Sequence, residues 1–434
     1  MMKDHQVNIG IIGLGTVGTG VARVLMEQKE LLTTRSGLTF NLSAISELDW
    51  SKERDLDLTG VRCLASADEL LEDPEIDIIV ETIGGYEPAF SFISKALNQR
   101  KHVVTANKAL IATRGQELFK LAQKNGVDLM FEASVGGGIP IIKGLREGLV
   151  ANEIKSIYGI LNGTSNYILT RMYQEEMEFD QALKEAQEKG FAEADPTLDI
   201  GGGDAAHKLT ILASLATSSS VDYHKLAVEG ITKITKLDIN FAKSFGYTVK
   251  LLAIYRQLPD GVDLRVHPTL VPQSHLLAAV NNELNAVFVK GDFVGSTMFY
   301  GPGAGERPTA SAIVSDIVDL SRDLLLKEDK FFCNRTINPD REIKTVPVKE
   351  INNRFYLRFF TLDEPGILSK ISGILGKHGI SISSMVQLET HEQEHYVPIV
   401  LLTHEASEQN MSDALEEIGK LGFVKENYLR LRLF

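Results

Sequence analysis

The chain has 434 residues, of which 44% are hydrophobic and 24% are charged, as is typical of a globular protein with a packed core. Its formal net charge of −13 argues against nucleic acid and against an anionic membrane as a partner. No apolar run reaches the roughly 18 residues that span a bilayer, and the N-terminus does not resemble a signal peptide. With two distant cysteines, Cys63 and Cys333, these features predict a cytoplasmic protein.

The chain begins with the signature of a dinucleotide-binding domain. Residues 7–12 form a short β-branched run, and GLGTVG follows it with Gly13, Gly15 and Gly18 in the G-x-G-x-x-G spacing. A helical pattern comes next. In this order, the glycines permit a tight turn, close approach of a pyrophosphate and helix–strand packing. The sequence therefore predicts an α/β fold that starts with a Rossmann-type domain.

The end of the second predicted strand leaves the choice between NAD and NADP open. Ser46 and Glu47 stand there, and an acidic side chain at this position suits the ribose hydroxyls of NAD. Lys52 and Arg54 follow shortly, and a positive charge suits the extra phosphate of NADP. All three charges are equally compatible with a solvated loop.

Two further segments of the first domain carry polar groups at strand ends. Lys108 comes just after the predicted strand HVVTA, where parallel sheets bind their ligands. Residues 132–142, EASVGGGIPII, form a glycine-bent loop with many carbonyl groups. Such a loop can bind a hard cation through oxygen, or it can simply be a tight turn into the next helix.

Residues 190–208, GFAEADPTLDIGGGDAAHK, are the most informative stretch of the middle region. We expect Asp204 to cap a helix whose first turns also carry Lys208, four residues later and on the same face. Carboxylates can hold an ammonium group, and the lysine can exchange a proton with a reacting oxygen. An ordinary surface ion pair is the alternative. His207, on another face, is expected to be a packed or surface residue.

Together these blocks resemble those of one family over essentially the whole chain. GLGTVG, ETIGG, VTANKAL, EASVGGGIP, NGTSNYIL, GFAEADPTLDIGGGDAAHKL and YGPGAGERPTASAIVSD are similar to the blocks of homoserine dehydrogenases, in the same order. The resemblance implies reversible NAD(P)-dependent conversion of L-aspartate 4-semialdehyde to L-homoserine, a step toward threonine, methionine and isoleucine. Members often carry an arginine where this chain has Ser46-Glu47, so cofactor preference stays open. The competing interpretations are a related amino-acid dehydrogenase and a nucleotide-binding amino-acid sensor without activity.

The resemblance also implies roles for individual residues. Lys208 is the expected acid/base, and the substrate would be bound by Glu193, Asp199, Asp204 and Lys108. The cofactor would contact Gly13, Gly15, Thr16, Val17, Gly18, Thr82, Lys108, Gly190 and Gly305. A monovalent cation, Na⁺ or K⁺ with a structural role, would be bound by Glu132, Val135, Gly137 and Ile139.

The C-terminal part predicts a ferredoxin-like βαββαβ module. Its segment 363–368, DEPGIL, resembles the turn of an ACT domain, which implies that it senses an amino acid. We expect it to bind threonine, the alternative being a module that only dimerises. The predicted organisation is a Rossmann domain (1–141, with a return helix at 306–326), an α+β substrate and dimerisation domain (142–328), a linker (329–353) and the ACT domain (354–434). We expect a homodimer or a homotetramer.

Overall fold

The computed structural model describes residues 6–326, 337–387 and 396–434. The strands are β1 (Gln6–Ile12), β2 (Thr39–Ser46), β3 (Arg62–Leu64), β4 (Ile78–Glu81), β5 (His102–Thr105), β6 (Leu129–Met130), β7 (Ile154–Ile160), β8 (Ser219–Ser220), β9 (Ala227–Val228), β10 (Tyr247–Leu258), β11 (Gly261–Pro272), β12 (Leu284–Gly291), β13 (Gly295–Pro302), β14 (Asn338–Glu342), β15 (Asn352–Asn353), β16 (Phe355–Leu362), β17 (Ile382–Gln387), β18 (Tyr396–Thr403), β19 (Ala406–Ser407) and β20 (Leu429–Leu433).

The α-helices are interspersed among these strands. They are α1 (Thr16–Glu27), α2 (Lys29–Ser36), α3 (Ala67–Glu72), α4 (Ala89–Asn98), α5 (Lys108–Asn125), α6 (Ile141–Lys143), α7 (Gly163–Gln174), α8 (Phe179–Glu188), α9 (Thr197–Ile200), α10 (Gly203–Thr217), α11 (Lys236–Ser244), α12 (Glu306–Leu326), α13 (Ile367–Lys377) and α14 (Glu408–Gly419). No helix in the described part of the chain is long and apolar enough to cross a membrane.

The described residues fall into two compact units. The first comprises Met1–Ile157, Ala206–Lys225 and Asn285–Ile343, and the second comprises Tyr158–Ala205, Leu226–Leu284 and Lys344–Phe434. The boundaries predicted for three domains and a linker stay a prediction, and residues 327–336 of the linker region lie outside the described residues. The described part of that linker is not irregular throughout, because β15 pairs with β19 and β14 with β8.

The first unit contains the predicted Rossmann-type sheet. Its six strands are parallel in the order β3-β2-β1-β4-β5-β6, which is the doubly wound order that binds dinucleotides. Strand β4 is buried along its whole length, as expected of a strand covered by helices on both faces. Helix α12 packs against α1, and its Ile313 and Ile317 belong to the same apolar core as Ile9 and Ile11 of β1.

The second unit contains the predicted ferredoxin-like module. Strands and helices follow in the order β16, α13, β17, β18, α14 and β20, and the sheet order is β20-β16-β18-β17. Apolar side chains from both helices and from β16 and β18 form its core. Strand β20 also pairs with β11, which in turn pairs with β10. One sheet therefore runs from the β10–β11 hairpin into the C-terminal module.

A buried carboxylate joins α11 to this module. Asp238 is fully buried and accepts hydrogen bonds from the Tyr356 hydroxyl (2.9 Å) and from Arg358 Nε (2.6 Å), both on β16. It also accepts a hydrogen bond from the Thr235 hydroxyl (2.6 Å), which caps the helix. Arg358 is 3% exposed, so its charge depends on this partner.

Replacing Asp238 with alanine should lower the free energy of unfolding by about 3–5 kcal/mol, because Arg358 would keep a buried charge without its counterion. Chemical denaturation of the variant and of the parent protein measures this difference. Asp413→Ala, on the exposed face of α14, is the control and should change stability by less than about 0.5 kcal/mol. Equal stability of the two variants would contradict the assigned role.

Candidate active site

The glycine turn after β1 leaves the start of α1 open. Gly13 has a φ of +93°, and a β-carbon on Gly18 would lie 2.1 Å from the Gly13 carbonyl oxygen. Gly15 precedes α1 with no side-chain cap, and a β-carbon there would meet only open space. The first turn of α1, with Thr16 and Val17, therefore presents backbone amides that a phosphate group can approach.

Thr82, just after β4, is tied to the same turn. Its hydroxyl donates to the Gly13 carbonyl oxygen at 2.9 Å and contacts the Ile12 carbonyl oxygen at 3.1 Å. Beside it, the buried carboxylate of Glu81 accepts hydrogen bonds from the Ile83 amide (2.8 Å) and from the Thr105 hydroxyl (2.5 Å). The ends of β1, β4 and β5 are thus linked at one edge of the sheet.

Lys108 lies at this edge as the first residue of α5. The preceding residue, Asn107, caps the helix by accepting a hydrogen bond from the Leu110 amide (3.1 Å). Its side-chain amide donates to the Gly85 carbonyl oxygen at 2.7 Å, which joins the cap to the loop after β4. Lys108 is half-buried, and the cap fixes where its backbone begins.

Glu47 and Arg54 both contact the glycine turn. Glu47 accepts hydrogen bonds from the amides of Leu14 (2.6 Å) and Asp49 (3.1 Å), while Arg54 Nε donates to the Leu14 carbonyl oxygen (2.9 Å). Burial acts to raise the pKa of Glu47, but the two amides and Arg54, 3.6 Å away, outweigh it and lower the pKa. Glu47 is therefore ionised at neutral pH, whereas Lys52 is an exposed loop residue.

The glycine-bent loop after β6 lies beside the loop that leads into α12. Both oxygens of the buried Glu132 side chain are occupied, because they accept hydrogen bonds from the Ile142 (2.9 Å) and Lys143 (2.8 Å) amides. Gly137 has a φ of +52°, and a β-carbon there would lie 2.6 Å from the Gly303 carbonyl oxygen. The Glu132 carboxylate thus holds the backbone at the start of α6.

A second buried carboxyl group adjoins this loop. Asp316 of α12 accepts a hydrogen bond from the Glu132 amide at 2.8 Å and is 1% exposed. Burial, reinforced by the nearby Glu132 carboxylate, raises the pKa of Asp316 to about 8, and burial also raises the pKa of Glu132. Asp316 therefore carries a proton at neutral pH, which reduces the repulsion between the two side chains.

In the second unit, two of the predicted substrate-binding carboxylates share one partner. The Asn162 side-chain amide donates to Asp199 (2.7 Å) and to Asp204 (2.9 Å). Asp204 is 1% exposed, and Asp199 is half-buried. Glu193 and Gly190 lie on the exposed turn after α8, where Gly190 has a φ of +75°. The structure thus brings Asp199 and Asp204 together, while Glu193 stays exposed to solvent.

Asp204 does not cap α10, which corrects our expectation. The helix begins at Gly203, so Asp204 lies inside its first turn, and its carboxylate is turned to Asn162. The helix starts earlier because Gly202, at a φ of +87°, makes the sharp turn just before it. Lys208 follows one turn later and is 7% exposed. His207 is also buried and stacks on Tyr223 at a ring distance of 4.6 Å, so the prediction of a packed histidine is confirmed.

Comparison with known proteins settles the family. Residues 13–132 match the NAD-binding domain of homoserine dehydrogenase, residues 140–318 match the homoserine dehydrogenase domain, and residues 355–423 match the ACT domain. The chain is 43% identical to the homoserine dehydrogenase of Pseudomonas aeruginosa over 429 residues, which is 98% of each protein. It is 41% identical to that of Bacillus subtilis over 420 residues, covering 97% of this chain and 96% of the relative.

The chain belongs to the homoserine dehydrogenase family. The solved homoserine dehydrogenase from Thiobacillus denitrificans superimposes with a TM-score of 0.93 at 43% identity, over 99% of this chain and 98% of that one. A hyperthermophilic archaeal homoserine dehydrogenase in complex with NADPH gives a TM-score of 0.61 at 29% identity, over 75% of this chain and 99% of that one. The protein is an oxidoreductase that acts on the CH–OH group of homoserine with a nicotinamide cofactor.

No site role was predicted from the sequence for the residues that adjoin Asp199 and Asp204. Asn162 also caps α7 by accepting a hydrogen bond from the Ser165 amide (2.8 Å), and an NGT sequence after a strand was a usable signal for such a cap. Behind it, the buried Lys250 donates to the Asn166 side-chain oxygen (3.1 Å) and to the Val280 carbonyl oxygen. Lys250 lies in an ordinary buried strand, and no sequence signal pointed to it.

Lys250 should make stability depend on pH. Burial lowers its pKa to about 7 from the usual 10.5, so the unfolded chain binds more protons than the folded protein between pH 7 and 10.5. The contribution of this lysine to the free energy of unfolding therefore rises as the pH rises through that range. In Lys250→Met this increase should disappear.

Denaturant unfolding of the parent protein and of Lys250→Met at pH 7 and pH 9 measures the effect. The quantity to compare is the change in the free energy of unfolding between the two pH values. Lys349→Met replaces an exposed lysine in the same unit and should respond like the parent protein. Identical pH responses of Lys250→Met and the parent protein would show that Lys250 is charged throughout this range.

Proposed function

We propose that Lys208 is the proton donor and acceptor of the homoserine dehydrogenase reaction. The observation that supports this role is its position on α10, one turn after the buried Asp204. In the direction of reduction, the lysine gives a proton to the aldehyde oxygen of L-aspartate 4-semialdehyde, and in the reverse direction it takes the proton from the homoserine hydroxyl. The bound nicotinamide accepts or supplies the hydride.

The amino-acid end of the substrate is assigned to the acidic residues. Asp199 and Asp204 share the Asn162 amide, so their carboxylates are held in place before an ammonium group arrives. Glu193 is exposed and can supply a third carboxylate, and Lys108 is assigned to the substrate and cofactor side. Two neighbouring carboxylates favour a cationic group here.

The cofactor is assigned to the open start of α1, with Gly13, Gly15, Thr16, Val17 and Gly18. The family resemblance adds four more cofactor-binding residues: Thr82, Lys108, Gly190 and Gly305. The archaeal relative solved with NADPH supports use of a phosphorylated cofactor, but Glu47 places a negative charge where the ribose is expected. We therefore propose that Glu47 disfavours NADP relative to NAD, and that its partner Arg54 moderates this effect.

The ACT domain is assigned to feedback inhibition by threonine. The turn before α13 supports this, because Gly366 has a φ of +91° and the helix start has no side-chain cap, which leaves amides available to a carboxylate. The alternative is a module that only dimerises. Calorimetric titration with threonine, together with activity assays, separates the two, since absence of both binding and inhibition would leave only dimerisation.

A homodimer or homotetramer is supported by an exposed apolar surface in the first unit. Strand β13 is the edge of its sheet and has no fully buried residue. Just before it, Phe293 is 85% exposed and Val294 is 45% exposed, and Tyr300 within the strand is 55% exposed. Such a patch is typical of an interface. Light scattering on the purified protein measures the mass of the assembly, and a monomer would contradict the proposal.

A monovalent cation, Na⁺ or K⁺, is assigned to the main-chain oxygens of Glu132, Val135, Gly137 and Ile139, with a structural role. Replacing Na⁺ and K⁺ with choline at constant ionic strength should lower the melting temperature and leave kcat unchanged. A location in the reducing cytoplasm is proposed as well and agrees with the exposed free thiol of Cys63. The other cysteine, Cys333, lies outside the described residues.

Lys208→Ala should lower kcat by roughly a hundredfold or more, the usual contribution of a positioned acid or base. Steady-state oxidation of NADPH and NADH with aspartate semialdehyde measures it. Lys184→Ala, on the exposed face of α8, serves as the control and should keep the parent kcat. An unchanged kcat in Lys208→Ala would remove this lysine from the proton transfer.

Glu47→Gln should raise the ratio of kcat/KM with NADPH to kcat/KM with NADH by about tenfold. The change removes a like charge near the expected phosphate, and one unit-charge pair at about 4 Å is worth at least about 1 kcal/mol. The amide oxygen of glutamine can still accept the Leu14 hydrogen bond. Glu53→Gln, an exposed neighbour, should leave the ratio unchanged, and the same ratio in both variants would contradict the proposal.

A further inference from the structure

The segment from Val228 to Ile231 packs directly on the loop that carries Asp199 and Asp204. The Ile231 amide donates to the Ile200 carbonyl oxygen at 2.8 Å. A β-carbon on Gly230 would lie only 2.2 Å from the same oxygen, so only glycine permits this approach. The position of residues 228–231 therefore sets the position of the backbone between the two substrate-binding carboxylates.

The side chain in the middle of this segment belongs to a different set of contacts. Glu229 accepts a hydrogen bond from Arg432 Nη1 at 2.5 Å and forms an ion pair with Arg430 Nη2 at 3.3 Å. Both arginines lie on β20, the last strand of the ACT domain. Arg432 is 3% exposed and is already fixed by a two-point ion pair with Glu408 of α14, at 2.8 and 3.0 Å.

The segment 228–231 therefore contacts both parts: its backbone contacts the loop of Asp199 and Asp204, and the Glu229 side chain binds the ACT domain. Its backbone amide donates to the Val266 carbonyl oxygen of β11 at 2.8 Å, while its side chain points to β20. A cleft of about 530 Å³ is lined by residues of the segment 228–234, of α14 and of β20, and Glu229 and Arg430 are among them. A displacement of β20 would therefore pull on the backbone next to Ile200.

We propose that Glu229 is a positioning residue for the substrate loop and that its ion pairs with Arg430 and Arg432 transmit the state of the ACT domain to Asp199 and Asp204. The proposal rests on the substrate-binding role assigned above to these two carboxylates. Its regulatory half also rests on threonine binding to the ACT domain. The Glu229 ion pairs act by fixing the position of the backbone. Their loss should therefore affect substrate binding more than proton transfer.

The test uses the full-length Glu229→Gln variant, which removes the charge but keeps the size of the side chain. Arg432 retains Glu408 as its counterion, so we expect the variant to fold, as a thermal unfolding curve will show. KM for homoserine should rise roughly 2- to 30-fold, the range of coupling that such networks carry, while kcat changes less than KM. Glu416→Gln removes an exposed ion pair with Lys420 on the same domain and should leave both constants unchanged.

Hydrogen–deuterium exchange gives a second readout that does not depend on activity. Amides of the peptide 199–204 should exchange faster in Glu229→Gln than in the parent protein, but not in Glu416→Gln. In the parent protein, threonine should change the exchange of this peptide, and in Glu229→Gln it should not.

The outcomes distinguish the positioning role of Glu229 from regulation by threonine. If KM and peptide exchange of Glu229→Gln match those of Glu416→Gln, the positioning role is overturned, whatever threonine does. If they differ as expected but threonine leaves the parent protein unaffected, the positioning role is supported, whereas both the transmission and the proposed threonine regulation are overturned. If threonine acts equally on the parent and on Glu229→Gln, regulation stands and transmission through Glu229 is overturned.

Discussion

The proposed substrate-binding carboxylates share one side-chain amide. Asn162 donates one hydrogen bond to each of two carboxylates, Asp199 and Asp204, which would otherwise repel each other at low solvent exposure. The same residue caps α7, so its position is fixed by a helix. Asn166, one turn further on, binds the carbonyl oxygens of Val280, Asn282 and Leu284. The two carboxylates are therefore bound by a residue of a helix whose position is itself fixed by hydrogen bonds.

Charged groups, not only apolar contacts, join the ACT domain to α11 and to the segment after β9. Asp238 binds Arg358 at one place, and Arg432 binds Glu408 and Glu229 at another. Buried ion pairs add little net stability compared with apolar residues, but removing one partner is costly. Such a joint therefore favours one relative arrangement of β20, β16 and their neighbours over others. An interface of this kind suits the regulatory role proposed for the ACT domain.

The sequence indicated the fold and the family well because their signals are local. The glycine spacing at Gly13, the apolar strands and the order of the C-terminal elements each lie within a short stretch. The partners of Glu47, Asn162 and Glu229 were not predictable, because each depends on residues far away in the chain. The start of α10 was misplaced by two residues, because an aspartate often caps a helix and a cap at Asp204 would start the helix at residue 205, whereas it begins at Gly203, after the turn at Gly202.

Two buried lysines show why burial alone does not assign a catalytic role. Lys250 is 1% exposed and is surrounded by the oxygens of Val280, Asn166 and Asn281, so all its hydrogen-bonding capacity serves the structure. Lys208 is nearly as buried, but it lies one helical turn after Asp204. The chemical argument for Lys208 therefore comes from its neighbour in the helix. A lowered pKa shows that burial disfavours the charged form of a lysine. Whether the lysine can transfer its proton to a substrate depends on the groups around it.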